Sequence, residues 1–393
     1  MAFLNVAKVL HDGPRKGESR CAPVLLRERS GRMMPFPALW VILAIVTVSG
    51  CMKAATQESH APSAVSAPPA VRLEGVHDAE IPEMYIKRLR GAVSPTDEAV
   101  PLTFMAVADH FAAKGEVEKA LHFLDRAAGV FVEMRSQSGE ATVWCRKFIL
   151  MLDWGWDHQA QDLLREVQGK WTAPPLRAFA GYAAGHRALL QGDLPRALSH
   201  LSRSLEDNGG SPQDPYLLMV RRDAERDIGI SLVLEDYMPL TLAIYGGGAT
   251  VPPMTSDAGG QHLEEALALH QEIRQTRLGE HGDAMRRAEA DILSFLGLSA
   301  WMQGEREAAL RKLGDARNLS RTAGYRTAEF RNLLFLGELG LQGEYGNEGR
   351  EAAERLRDEA DRYRAASYGI WARHILARYA QAEKRNREAI RFL

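Results

Sequence analysis

Cysteine is scarce: three in 393 residues, at Cys21, Cys51 and Cys145. That excludes a disulfide framework, and no two stand at the C-x-x-C spacing of a zinc or redox site. An excess of one charge is also missing. Lys and Arg total 49 against 51 Asp and Glu, a formal charge of −2, so the surface as a whole has no field to attract nucleic acid. No segment alternates apolar and polar residues for the length of a strand. Three catalytic signatures, H-E-x-x-H, G-x-S-x-G and G-x-x-x-x-G-K-[ST], are absent. What is present, 46% hydrophobic and 25% charged residues, is ordinary globular composition, which excludes collagen-like, disordered and polytopic membrane chains.

The charge is unevenly spread. Residues 1–50 hold seven basic side chains against three acids, which leaves 42 basic and 48 acidic residues, or −6, in the rest. Residues 36–50, FPALWVILAIVTVSG, form an uncharged apolar run preceded by Arg27, Arg29 and Arg32 and closed by Ser49 and Gly50. A basic start, an apolar middle and a small-residue end make a secretory signal. The run ends in Val48-Ser49-Gly50-Cys51, which resembles the lipobox of bacterial lipoproteins. The resemblance implies cleavage before Cys51 and a diacylglyceryl thioether on its sulfur, since a thiolate is the nucleophile that modification needs. Two or three acyl chains anchor stably where one does not. Met52, in place of an acidic residue, implies the outer membrane. An uncleaved signal anchor in the inner membrane is the alternative, because residues 34–52 are nineteen uncharged residues, just enough to span. Either way the positive-inside bias puts the body outside the cytoplasm. Residues 1–50 therefore read as leader, and 51–78 as lipidated cysteine and tether, rich in Ala, Ser and Pro.

The body, 79–393, reads as all-α. Ala- and Leu-rich stretches are broken by Gly-polar turns, and one spacing recurs. Gly115, Ala120, Leu124 and Ala127 repeat as Gly155, Ala160, Leu164 and Val167, as Gly192, Ala197, Leu201 and Ser204, and as Gly304, Ala309, Leu313 and Ala316. Seven residues before each glycine stand Ala108, Phe148, Gly185 and Gly297. This resembles the tetratricopeptide repeat (TPR), a helix–turn–helix of about 34 residues. Small residues let the two helices of a hairpin cross closely, and glycine relieves the turn. The 112 residues from Gly192 to Gly304 are close to three periods of 37, so two divergent units fit between Gly210 and Ala290. Three departures stand out: Phe148 is bulky, the spacings of 37–40 exceed 34, and residues 246–260 (GGGATVPPMTSDAGG) interrupt the array. Beyond Tyr325 the pattern decays towards one last helix over about 368–391.

Chemistry is thin. Gly246-Gly247-Gly248 lacks the Lys-Ser/Thr of a phosphate cradle, and Pro252-Pro253 removes amides one would need. His262, His270 and His281 are spaced by eight and eleven, not the three or four of a helical metal pair, and read as solvated or capping. Asp207-Asn208-Gly209-Gly210 reads as a helix end with a left-handed glycine. No catalytic residue, metal or cofactor is expected. By the TPR resemblance, first helices line a concave groove, which places Met105, Ile149, Tyr182, His186, Leu298 and Trp301 on it. These suggest an apolar groove for a protein or peptide partner, unless later helices cover it and make it core. The expectation is a membrane-anchored, non-catalytic interaction scaffold in the bacterial envelope. The alternatives are an envelope enzyme with a site in residues 211–260, where Asp214, Asp223, Asp236 and Asp257 are scattered, and a sensory TPR domain on an inner-membrane anchor.

Overall fold

The computed structural model describes residues 81–92, 94, 96–209, 214–246, 257–276, 278, 282–341 and 346–392. The leader, Cys51, the tether and residues 247–256 of the glycine-rich loop lie outside the described residues. Those described form fifteen helices and no strand. No helix among them is long and apolar enough to cross a membrane.

After a short α1 (Glu83–Gly91), the helices pair as seven hairpins. They are α2 (Ala99–Lys114) with α3 (Val117–Glu133), α4 (Gln137–Asp153) with α5 (Asp157–Lys170), and α6 (Pro174–Leu190) with α7 (Leu194–Asn208). Next come α8 (Pro215–Gly246) with α9 (Ala258–Arg274), and α10 (Gly282–Met302) with α11 (Arg306–Thr322). The last two are α12 (Arg326–Gly340) with α13 (Gly346–Arg362), and α14 (Ala366–Ala382) with α15 (Asn386–Phe392). Consecutive helices pack on one another throughout. Local chemistry starts several of them. Ser136 and Asp193 accept the amide protons of Gly139 and Arg196, and Pro174 and Pro195 stand in first turns, where a missing N–H costs nothing.

Close crossing explains the small residues. A Cβ on Gly185 would come within 2.6 Å of Leu201, and one on Gly297 within 2.7 Å of Leu313. Both pairs are sixteen residues apart, and Ala108–Leu124 shares that register. Phe148 faces the same step with a full ring, and α4 accordingly packs less on α5 than on α3. The turns of the α2–α3, α4–α5, α6–α7, α10–α11 and α14–α15 hairpins close with one bonding pattern. At Gly304 the amide of Gly304 bonds Trp301 O and that of Glu305 bonds Ala300 O, which satisfies the last carbonyls of the helix. Gly209, at φ 63°, ends α7 as the Asp-Asn-Gly run predicts.

Two expectations about the array need correction. Residues 193–303 hold one long hairpin between α7 and α10, not two short units, because α8 alone runs for 32 residues. The repeat also does not decay into one helix after Tyr325. It makes two further hairpins, and the last of them turns without glycine: Lys384 adopts φ 59° between α14 and α15, with Ala377 seven residues before it and Ala389 five after.

The long α8 is the strut of this arrangement. At its head Tyr216 stacks edge-on against Phe131, 5.4 Å between centroids, and donates to Glu98 at 3.0 Å. Towards its other end Tyr237 meets Phe335 of α12, and its hydroxyl donates to the buried Glu338. From Ile228 to Leu234 it is buried on nearly every side, as a helix apolar all round must be. Helix α10 also touches α2, so the first helices close round on themselves.

Candidate functional site

First helices α2, α4, α6, α8 and α10, with the start of α12, line one cavity of about 310 Å3. Its position follows from the closure of α10 on α2, and its chemistry from what those helices turn inward. Ile149, Tyr182 and His186 line it, as the groove reading expects. Met105 and Leu298 do not. Each stands a turn away along the same helix face as cavity residues, and both are buried core, at 1% and 0% exposure. Trp301 is also buried away from the cavity, its ring under the Arg306 guanidinium at 5.8 Å.

The lining is not apolar with few charges. Five arginines (146, 222, 226, 287 and 331) and five aspartates (109, 153, 223, 227 and 291) face it, with His186. Most are already paired. Arg146 donates to Asp109 at 2.6 Å, and Arg222 to Asp223 at 2.7 Å. Arg226 donates to Asp227 at 2.8 Å, to Asp223 at 3.2 Å and to the Tyr182 hydroxyl at 3.2 Å. Asp227, almost fully buried, also bonds His186 Nδ1 at 2.6 Å. Arg331 donates to Asp291, with Phe295 beneath its guanidinium at 5.0 Å.

These pairs set the protonation states. Burial disfavours a charged His186, but Asp227 outweighs it through charge and hydrogen bond, so the imidazolium is held above its ordinary range. Burial also pushes on Asp227, yet Arg226 and His186 together keep its carboxyl below the usual value. Tyr182 is raised by burial and by Asp227 and Asp223. The Cys145 thiol, donating to Phe179 O and pushed up by burial, is an inert wall residue, since the thiolate is the reactive form.

Two groups are left over. Among the described residues Asp153, at the end of α4, has no hydrogen-bond or ion-pair partner, and burial lifts its carboxyl to about 7 despite His186 and Arg287 nearby. Arg287 on α10 has no ion pair among the described residues, and its Nε is buried without a partner there. The nearest aromatic face is Tyr325, 5.8 Å away.

The groups singled out in residues 211–260 do not assemble into a site. Asp214 accepts the amides of Tyr216 and Leu217, and Asp257 takes Gln303 and Ser299. Asp236 is lifted by burial alone. Only Asp223 reaches the cavity. Of the histidines, His262 pairs with Glu225 at 2.6 Å, while His270 is fully buried, 3.6 Å from Glu289, and so is neither solvated nor a cap. His281 lies outside the described residues, among which no His, Cys, Asp and Glu cluster could hold a metal.

The charged wall escaped the repeat pattern because much of it sits on α8 and α12, outside the four units that the glycine spacing marks. A signal was available: Arg222, Asp223, Arg226 and Asp227 fall on neighbouring turns inside the apolar LLMV…IGISLVL helix. Charges at i, i+1, i+4 and i+5 in so apolar a helix must be paired or face a cavity. No protein-family model matches this chain, and no curated protein matches it.

Proposed function

We propose that this protein is a non-catalytic binding scaffold of the bacterial cell envelope. On this reading it is a TPR-like array held at the membrane by lipid on Cys51, which takes a protein or peptide partner into the cavity between its first helices. One observation carries the binding reading: five first helices and the start of α12 turn charged side chains into a single cavity, with an acid and a base there left without partners. Buried pairs of this kind contribute little net stability, because desolvation offsets most of the attraction, so binding gives them a purpose that folding alone does not. The envelope reading rests on the basic leader, the apolar run and Val48-Ser49-Gly50-Cys51.

Two measurements test it. Mass spectrometry of the membrane-extracted chain should find a diacylglyceryl-modified Cys51 as the first residue. A Cys51→Ser chain indistinguishable from wild type, both embedded with an intact N-terminus, refutes the lipoprotein reading. For binding, Ile149→Trp fills the cavity from a half-exposed position. It should abolish capture of a partner that Trp301→Ala and deletion of residues 247–256 both leave bound. The opposite pattern puts the site elsewhere.

A further inference from the structure

The cavity wall is nearly self-neutralising, and its two exceptions are of opposite sign. Asp153 on α4 and Arg287 on α10 belong to the same wall and feel each other's charge, yet neither is ion-paired. Close to them Arg331, only 5% exposed, uses one nitrogen on Asp291 and leaves its Nε buried without a partner. A half-buried guanidinium and a half-buried carboxyl that share this wall without reaching each other leave one charge of each sign facing the cavity, and a ligand that carries both complements would satisfy them together.

We propose that the cavity binds a small zwitterion, a free amino acid or short peptide, with its carboxylate on the Arg287 guanidinium and its ammonium on Asp153. This deepens the binding-scaffold reading and rests on it. An anion alone would satisfy Arg287 but add negative charge beside Asp153 and Asp291. A cation alone would leave Arg287 bare, and a neutral ligand would leave both groups unpaired. Planar guanidinium donors suit a carboxylate, and 310 Å3 lies at the lower end of small-ligand cavities.

The charges around Asp153 predict a proton signature. His186 on α6 and Arg287 and Asp291 on α10 act on it, and Arg226 and Asp227 on α8 and Arg331 on α12 share the cavity wall with it. With its carboxyl at about 7, it is near half-protonated at neutral pH. An ammonium beside it favours the carboxylate, so a zwitterion expels the proton, whereas a bare anion on Arg287 draws one in.

The experiment uses the detergent-extracted full chain. The twenty L-amino acids and the dipeptide Ala-Ala are screened by thermal shift, and each that stabilises is titrated calorimetrically at pH 7 in phosphate and in Tris. The expected result is at least one binder that releases protons. Acetylating its amine or amidating its carboxylate should each weaken it by about tenfold or more, the scale of one charged hydrogen bond. Arg287→Met and Asp153→Asn should do the same, the second with an undiminished melting temperature, which separates lost binding from lost fold. The proposal is overturned if no probe stabilises the chain, or if the acetylated form binds equally well and takes protons up. It also fails if the amidated form binds equally well. Partner capture that still depends on the cavity while every probe fails would reject the zwitterion and leave the scaffold reading standing.

Discussion

Arg135, Arg364 and Lys384 occupy the left-handed region at φ 56, 56 and 59°, where a side chain meets its own backbone at about 1–2 kcal/mol. They are tolerated because the turn they make satisfies two carbonyls, as glycine does at Gly115, Gly155, Gly192 and Gly304. Lys384→Gly should therefore raise stability, by up to about 1 kcal/mol once the extra freedom of unfolded glycine is subtracted. Gly304→Ala should lower it by about 1 kcal/mol through strain alone, since a Cβ there meets nothing within 4 Å. Urea midpoints decide both; a neutral Gly304→Ala would deny the left-handed turn. Asp153 makes the pH prediction. Its carboxyl titrates near 3.9 in an unfolded chain and at about 7 when folded. Between those values the folded state holds a proton that the unfolded state lacks, so stability from this group falls as pH rises from 4 to 7 and stays low above. Asp153→Asn should gain on wild type across that window, by on the order of 1–3 kcal/mol at pH 8. Equal pH profiles for the two proteins would contradict the burial argument.

At the scale of the helix, packing quality follows the residue at each crossing. Ala197, fully buried in α7 against α6, has no room to grow, so Ala197→Phe should destabilise by about 1–3 kcal/mol. Phe148 holds α5 away from α4, and α5 buries only Ala160, Leu164 and Val167. Few buried contacts mean a low cost of local opening. Amide hydrogen exchange should thus be faster in α5 than in α7 or α11. Equal protection would mean that Phe148 is accommodated without loss. The departure at Phe148 was legible in the sequence, and its structural consequence matches the reason for noticing it. The left-handed turns at Arg135 and Lys384 were not legible. A search for glycine cannot find turns that other residues make under the constraint of helices on both sides.

Across the whole array, α8 changes how stability is shared. Stacked repeats normally contact only their neighbours and can open piecewise. Here one helix, about 48 Å long at 1.5 Å per residue, ties Glu98 and Phe131 near one end to Phe335 and Glu338 near the other. Tyr237→Ala removes a fully buried ring from α12's side and should cost about 3–5 kcal/mol. Its effect should reach exchange in α2 and α3 as well as in α12 and α13. Faster exchange confined to α12 and α13 would show independent repeats and no strut.

Hairpins were readable because their evidence is local. A small residue, a left-handed turn seven positions on and an apolar residue sixteen positions on are demanded by two adjacent helices touching, and one short window contains them all. The all-α class, the crossing residues and the end of α7 follow from that. The cavity obeys different physics. Asp109, Asp153, Asp227, Asp291 and Arg331 come from five hairpins, and what brings them face to face is the small rotation each hairpin adds to the last. That rotation accumulates from side-chain packing and appears in no single window. Of the positions inferred from one hairpin, Ile149, Tyr182 and His186 stand on the cavity wall. Met105, Leu298 and Trp301 are buried core, the outcome expected where later helices cover the groove. Burial then decided which charges could stay unpaired, and so which chemistry the cavity offers.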